Sequence, residues 1–433
     1  MARNDYTLVV YDENGNEQHD QHGDLGSAKA VNRMQQEGTT DVFLMSHGWN
    51  GDVPSALNQY NNWTDALLAN PDDLTRLATL RPGFKPLFLG VHWPSLPWGN
   101  EQAIASFGMG PAAPAFDPVA DYAKRLGDTP QIHAAVQKVF SAIGAATDST
   151  SMPPELEQAY LDLDKAVGLG AAGVGGSPAD DRMPFDPKAV LAAVRSSHGR
   201  AASFGDFSLG GLIQPLRVLS FWKMKDRART IGEGAGFNLL HTLQQAAGAN
   251  VRFHVMGHSF GCILVSAILA GPRPTTVPNA PVQSLVLVEG ALSLWAYAAT
   301  IPPAPGTTGY FNPVVSAKRV SGPIVAVKSA FDRAVGIFYP LAAAPAQQVS
   351  FDMPQLPLFG GVGTFGLQGL DHKDFATMLP TTSQYGFENG QVYNIESSNI
   401  IKDVSNAIAG AHSDISHPEV GHVVWQAAMA PDA

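Results

Sequence analysis

Ser259 stands in a setting suited to covalent chemistry. The run Gly257-His258-Ser259-Phe260-Gly261 follows an apolar stretch, Val251 to Met256, and leads directly into a second apolar stretch. The first reads as a buried strand and the second as a helix. Turning from strand to helix within five residues forces the central one into a strained conformation, and only small residues at 257 and 261 let the backbones pass. The hydroxyl of Ser259 is then presented at the tip. The helix beneath it offers free N–H groups and a partial positive charge, which suit an alkoxide or a developing oxyanion. Serine is a poor nucleophile at neutral pH, so such a group needs a histidine to take its proton and a carboxylate to orient that histidine.

The elements that position this serine are legible as a rhythm. Short apolar runs recur at Val42 to Met45, Pro86 to Val91, Val251 to Met256, Val282 to Val288, Pro323 to Val327 and Gln391 to Ile395. They alternate with helical spacing, for example at Ala28 to Gln36, which predicts an α/β fold with a mostly parallel central sheet flanked by helices. The opening segment, with Asn14-Gly15 between two strand-like arms, predicts a hairpin. The rhythm stops between Pro94 and Pro215, where Ala, Gly, Pro and Asp dominate and helices are expected at Pro130 to Ala145 and Pro154 to Val167. Residues 95–215 are therefore expected to form an inserted cap or lid on a single catalytic domain spanning 1–433. The Gly-rich stretch Gly168 to Asp181 reads as flexible, and 342–389 as an irregular insertion before the last strand.

With its elbow in this strand-turn-helix context, the chain resembles the α/β-hydrolase superfamily, of the serine esterase and lipase type. The resemblance implies an acid and then a histidine, each in a loop after a later strand. Asp332, in KSAFDRAV after the Pro323 to Val327 run, fits the acid; Glu289, Asp352, Asp371 and Asp374 are the competing carboxylates. His412, in the small-residue loop before a helix opening at Pro418, fits the histidine, ahead of His417, His422 and His372. An oxyanion hole is implied from the backbone N–H of Phe260 and from His47-Gly48-Trp49-Asn50, where the Trp49 N–H is the expected donor and His47 orients the loop. The implied activity is hydrolysis of a small carboxylic ester through an acyl-serine intermediate. Lipase, amidase, thioesterase or acyltransferase chemistry, or an inactive binding scaffold, are alternatives on the same frame.

Composition narrows the remaining classes. A net charge of -11 without a basic run gives no footprint for nucleic acid. No apolar run is long enough for a membrane helix, and no signal-like leader is visible; with Cys262 as the single cysteine, a cytoplasmic protein is expected. Histidine and acid spacings match no metal motif, and the Gly-rich runs lack a phosphate-binding ending, so neither metal nor cofactor is expected. Trp93, Trp98, Phe107 and Met109 are candidate pocket-lining residues.

Overall fold

The computed structural model describes residues 5–49, 52–95, 117–146, 151–196, 211–248, 250–272, 278–344, 356–406 and 409–430. Eight strands form one sheet: β1 (Tyr6–Val10), β2 (Asp41–Ser46), β3 (Pro86–His92), β4 (Arg252–His258), β5 (Ser284–Val288), β6 (Ile324–Lys328), β7 (Lys373–Phe375) and β8 (Val392–Glu396). Their spatial order is β1-β3-β2-β4-β5-β6-β8-β7, and every neighbouring pair is parallel. Parallel neighbours need crossovers, and these cover both faces with helices, which is why the inner strands are buried nearly throughout rather than on alternate residues.

The pleat sorts those side chains. Phe43, Met45, Met256, Val286, Val288, Val325 and Val327 pack with Trp63 and Trp425 in one large core, contributed by the helices Val53–Leu68 and Pro418–Ala428. A second layer contains Gly26–Glu37, Phe237–Ala246 and Gly261–Ala270. All ten residues of Gly261–Ala270 are buried, as an apolar sequence without a polar stripe requires.

After β2 the chain moves to β3 on one side, and after β4 it moves to β5 on the other. Loops leaving the carboxyl ends of two adjacent strands in opposite directions open a crevice there, the usual ligand position in open parallel sheets. The loop at 47–49 follows β2 and the Ser259 turn follows β4.

The chain folds as two compact units. The sheet unit comprises Met1–Ser95, Arg227–Gly336 and Gly360–Ala433; the other comprises Leu96–Asp226 and Ile337–Phe359. The second unit is helical in its described residues. Helices Pro118–Leu126, Pro130–Ala145 and Pro154–Val167 each open on a proline, whose fixed φ suits the first turn. They bury Tyr122, Val136, Val139, Leu156, Tyr160 and Leu163 together. Lys225 is buried in this unit with its ammonium 3.9 Å from the Tyr339 ring centre and 4.4 Å from that of Trp222. Burial pulls it down to about 7, while the ring faces favour the charged form.

Three expectations change in detail. The opening hairpin reduces to a single antiparallel bridge, Tyr11 to Glu17, because Tyr6–Val10 is used as a parallel edge strand against β3. Gly168 to Asp181 is not a free linker: Asp181 accepts the Gly175 N–H (3.1 Å) and the Tyr339 hydroxyl (2.9 Å). The 342–389 region, read as irregular, supplies β7 and the short helix Val362–Phe365 in its described part. Among the described residues, no helix is long and apolar enough to cross a membrane.

Candidate active site

The turn after β4 has the strain its sequence implies. Ser259 has φ +55°, left-handed for a residue with a side chain, at a typical cost of about 1–3 kcal/mol. Four main-chain bonds hold it there. Its N–H donates to Val288 O (3.1 Å), its carbonyl accepts from Cys262 and Ala291 (both 3.1 Å), and Phe260 O accepts from Ile263 (3.0 Å). The flanking glycines are steric necessities. A Cβ on Gly257 would meet Cys262 N and the Gly261 carbonyl at 2.7 Å, and one on Gly261 would meet Ser46 O at 2.3 Å. Cys262 points into the core, its thiol donating to Gly257 O (3.1 Å); burial pushes that thiol far up, so it is no thiolate.

Ser259, His412 and Asp332 converge although they lie far apart in the chain. The Ser259 hydroxyl is 2.7 Å from His412 Nε2, and His412 Nδ1 is 2.9 Å from Asp332 Oδ2. With Nδ1–H donating to the carboxylate, Nε2 is left as the acceptor for the serine proton. Two loops are zipped together to achieve this: Asp332 bridges Gly410, and the Ala411 N–H donates to Phe331 O (2.9 Å). Gly410 has φ +62°, and a Cβ there would lie 2.3 Å from Phe331 O, so the approach of the two loops requires glycine. The other carboxylate oxygen, Oδ1, accepts the Val335 N–H at 2.9 Å.

The rival residues lie elsewhere. His417 pairs with Asp414 (2.7 Å), His422 is a core residue bonded to Asp73 (2.5 Å) and Ser383 O, and His372 turns back to Leu370 O. Asp371 and Asp374 are exposed. Asp352 lies outside the described residues. Glu289, by contrast, is buried beside the relay.

The loop after β2 is locked against the serine. His47 donates Nδ1–H to Gly48 O (2.7 Å) and accepts at Nε2 from His92 Nδ1 (3.0 Å). Burial, then the neighbouring His92, hold the His47 imidazole down to about 3. Tyr60, Ser95 and the Trp93 indole bond the same loop. Trp93 is fully buried as a support for this loop and does not line open space; Trp98, Phe107, Met109 and Asn50 lie outside the described residues. Gly48 passes so near the turn that an added Cβ would sit 2.6 Å from Ser259 Cβ. The Trp49 and Phe260 rings lie 5.4 Å apart, so both residues expected to supply oxyanion donors are brought together.

Sequence reasoning missed His258 as part of this machinery. It accepts at Nδ1 from Gln59 Nε2 (3.1 Å) and donates from Nε2 to the carbonyl of His412 (2.8 Å), tying the histidine loop to β4. Burial, followed by the adjacent His412, holds it neutral, well below the ordinary histidine range. Its neighbour relation to Ser259 was the available signal. The nitrogen and oxygen donors of Glu289, Asp332 and His412 lie within 4.8 Å of one another, the closest approach to a metal-type cluster among the described residues. Comparison with family models, with curated proteins and with solved structures returns no match.

Proposed function

We propose that the protein is a serine hydrolase of the α/β-hydrolase type that cleaves carboxylic esters. The observation that carries this proposal is the continuous relay from the Ser259 hydroxyl through His412 to Asp332, at 2.7 and 2.9 Å. Such a relay over a strained elbow serves nucleophilic acyl transfer and has little purpose in a merely structural turn.

In the proposed cycle, Ser259 Oγ attacks the ester carbonyl carbon while His412 Nε2 takes the hydroxyl proton. The N–H groups of Trp49 and Phe260 stabilise the oxyanion, and Asp332 stabilises the imidazolium. His412 then gives its proton to the departing alkoxide as the C–O bond breaks, leaving acyl-Ser259 and an alcohol. Water attacks the acyl group with His412 as base again, and a carboxylic acid leaves with Ser259 restored. The test is turnover of a short p-nitrophenyl ester, with Ser259→Ala alongside. Activity in that variant equal to wild type would sink the proposal. A chain-length series of esters, with matching thioesters and amides, ranks the acyl donors the same relay would accept.

A further inference from the structure

Glu289, the residue that follows β5, is in an unusual state. It is fully buried, its φ is +47°, and neither carboxylate oxygen meets a donor among the described residues. Its neighbour is the Asp332 carboxyl, with an oxygen of each within 4.8 Å of the other. Two ionised carboxylates cannot hydrogen-bond each other, and brought this close in a buried setting they repel. A single proton turns this repulsion into a bond.

Which partner holds the proton follows from their surroundings. Asp332 already accepts N–H groups from His412 and Val335, both of which favour its charged form. Glu289 accepts none. The groups facing it are Asp332, His412, Glu396, Asp414 and the Cys262 thiol. Burial first, then the charge on Asp332, then Glu396 and Asp414, all push its carboxyl well above the usual range. Gly363 seals the pair: a Cβ there would meet Asp332 Oδ2 at 2.8 Å and Glu289 Cα at 3.0 Å.

We infer that Glu289 is a positioning residue for the relay, a neutral carboxylic acid that keeps its proton and donates its O–H in a hydrogen bond to Asp332, and so fixes the orientation and the single negative charge of the carboxylate behind His412. This rests on the hydrolase assignment above for its role, but not for its protonation state. The bond leaves Asp332 with three donors, and it moderates the pull of that carboxylate on the imidazole.

The experiment compares wild type with Glu289→Gln, which keeps an N–H donor, and Glu289→Leu, which has none. At neutral pH, difference infrared spectroscopy should show the C=O stretch of one protonated carboxylic acid, lost in both variants and retained in Ser259→Ala. The downfield Nδ1–H proton resonance of His412 should persist in Glu289→Gln and shift in Glu289→Leu. On esters, Glu289→Leu should lose about ten- to a hundredfold in kcat, the worth of one hydrogen bond to a charged group, with KM little changed. The ascending limb of its kcat/KM profile should move to higher pH, because more of the Asp332 charge then favours the imidazolium. Absence of the protonated-acid band overturns the proposal, as does a stoichiometric divalent cation found between these carboxylates in the purified protein. So does a limb that moves to lower pH in both variants, the mark of a lost negative charge. A protein that shows the band and the resonance pattern but turns over no ester would instead overturn the hydrolase assignment.

Discussion

Gly48→Ala separates the loop after β2 from the rest of the relay. The added methyl carbon would lie 2.6 Å from Ser259 Cβ, 3.0 Å from His258 Nδ1 and 3.1 Å from His258 O. Carbon atoms pack at about 3.5–4.0 Å, so a displacement of about 1 Å is required. Ser259 is not free to supply it, being held by Val288, Cys262 and Ala291, and His258 is held by Gln59 and the His412 carbonyl. The loop at 47–49 must therefore move, straining its bonds to Tyr60 and Ser95. Overpacking of this kind costs about 1–3 kcal/mol of stability. The rate suffers more, because a donor displaced by 1 Å no longer meets the oxyanion; kcat/KM should fall by about 10² to 10³. The assay is hydrolysis of a short p-nitrophenyl ester together with a thermal melt. If the variant stays folded and retains activity within about threefold of wild type, the proposed oxyanion role of Trp49 is wrong.

Other perturbations probe different parts. Asp332→Asn keeps the shape but leaves the wrong histidine tautomer, so kcat should drop by about 10⁴ by the serine-protease precedent, with the melting temperature shifting little beside it. Acid should unfold the protein early. Burial holds His47 down to about 3 and His92 to about 4, keeps His258 well below its ordinary range and lowers His254, so at each of the four the unfolded chain takes up a proton before the folded one does. Stability then falls as pH drops below about 6.5, by up to about 1.4 kcal/mol per pH unit per group. Glu289 and Asp164, whose carboxyls burial pushes up, work the other way and gain as pH falls, but they are two groups against four. Urea midpoints at neutral and mildly acidic pH check this, and a flat profile would contradict it. Gly144→Ala places a methyl in open space within the helix Pro130–Ala145 and should stabilise by roughly 0.5–1 kcal/mol in the same assay.

Much of this site was legible because its signals are local. Glycine at 257 and 261 is forced by backbone approaches under 3 Å, so the elbow announces itself in five residues. Prolines at 130, 154 and 418 begin helices because their missing N–H needs no partner in a first turn, and the helices start at those residues. The less legible features are long-range. The three-residue β7 is too short for periodicity to register, and it exists through its pairing with β8. The hairpin signal at Asn14-Gly15 made its turn, with Gly15 at φ +81°, but parallel pairing with β3 claimed the strand. Glu289 was visible as one acid among several; its contact with Asp332 depends on loops 43 residues apart folding onto one spot beneath Gly363. His258 gave no sign that its ring would reach the carbonyl of His412.

The most direct test of the central claim is peptide mapping by mass spectrometry after reaction with a fluorophosphonate. The account predicts one adduct per chain, on the peptide carrying Ser259, abolished in Ser259→Ala and severely slowed in His412→Gln. A folded protein that takes no label, or takes it on another residue at the same rate in both variants, would contradict it.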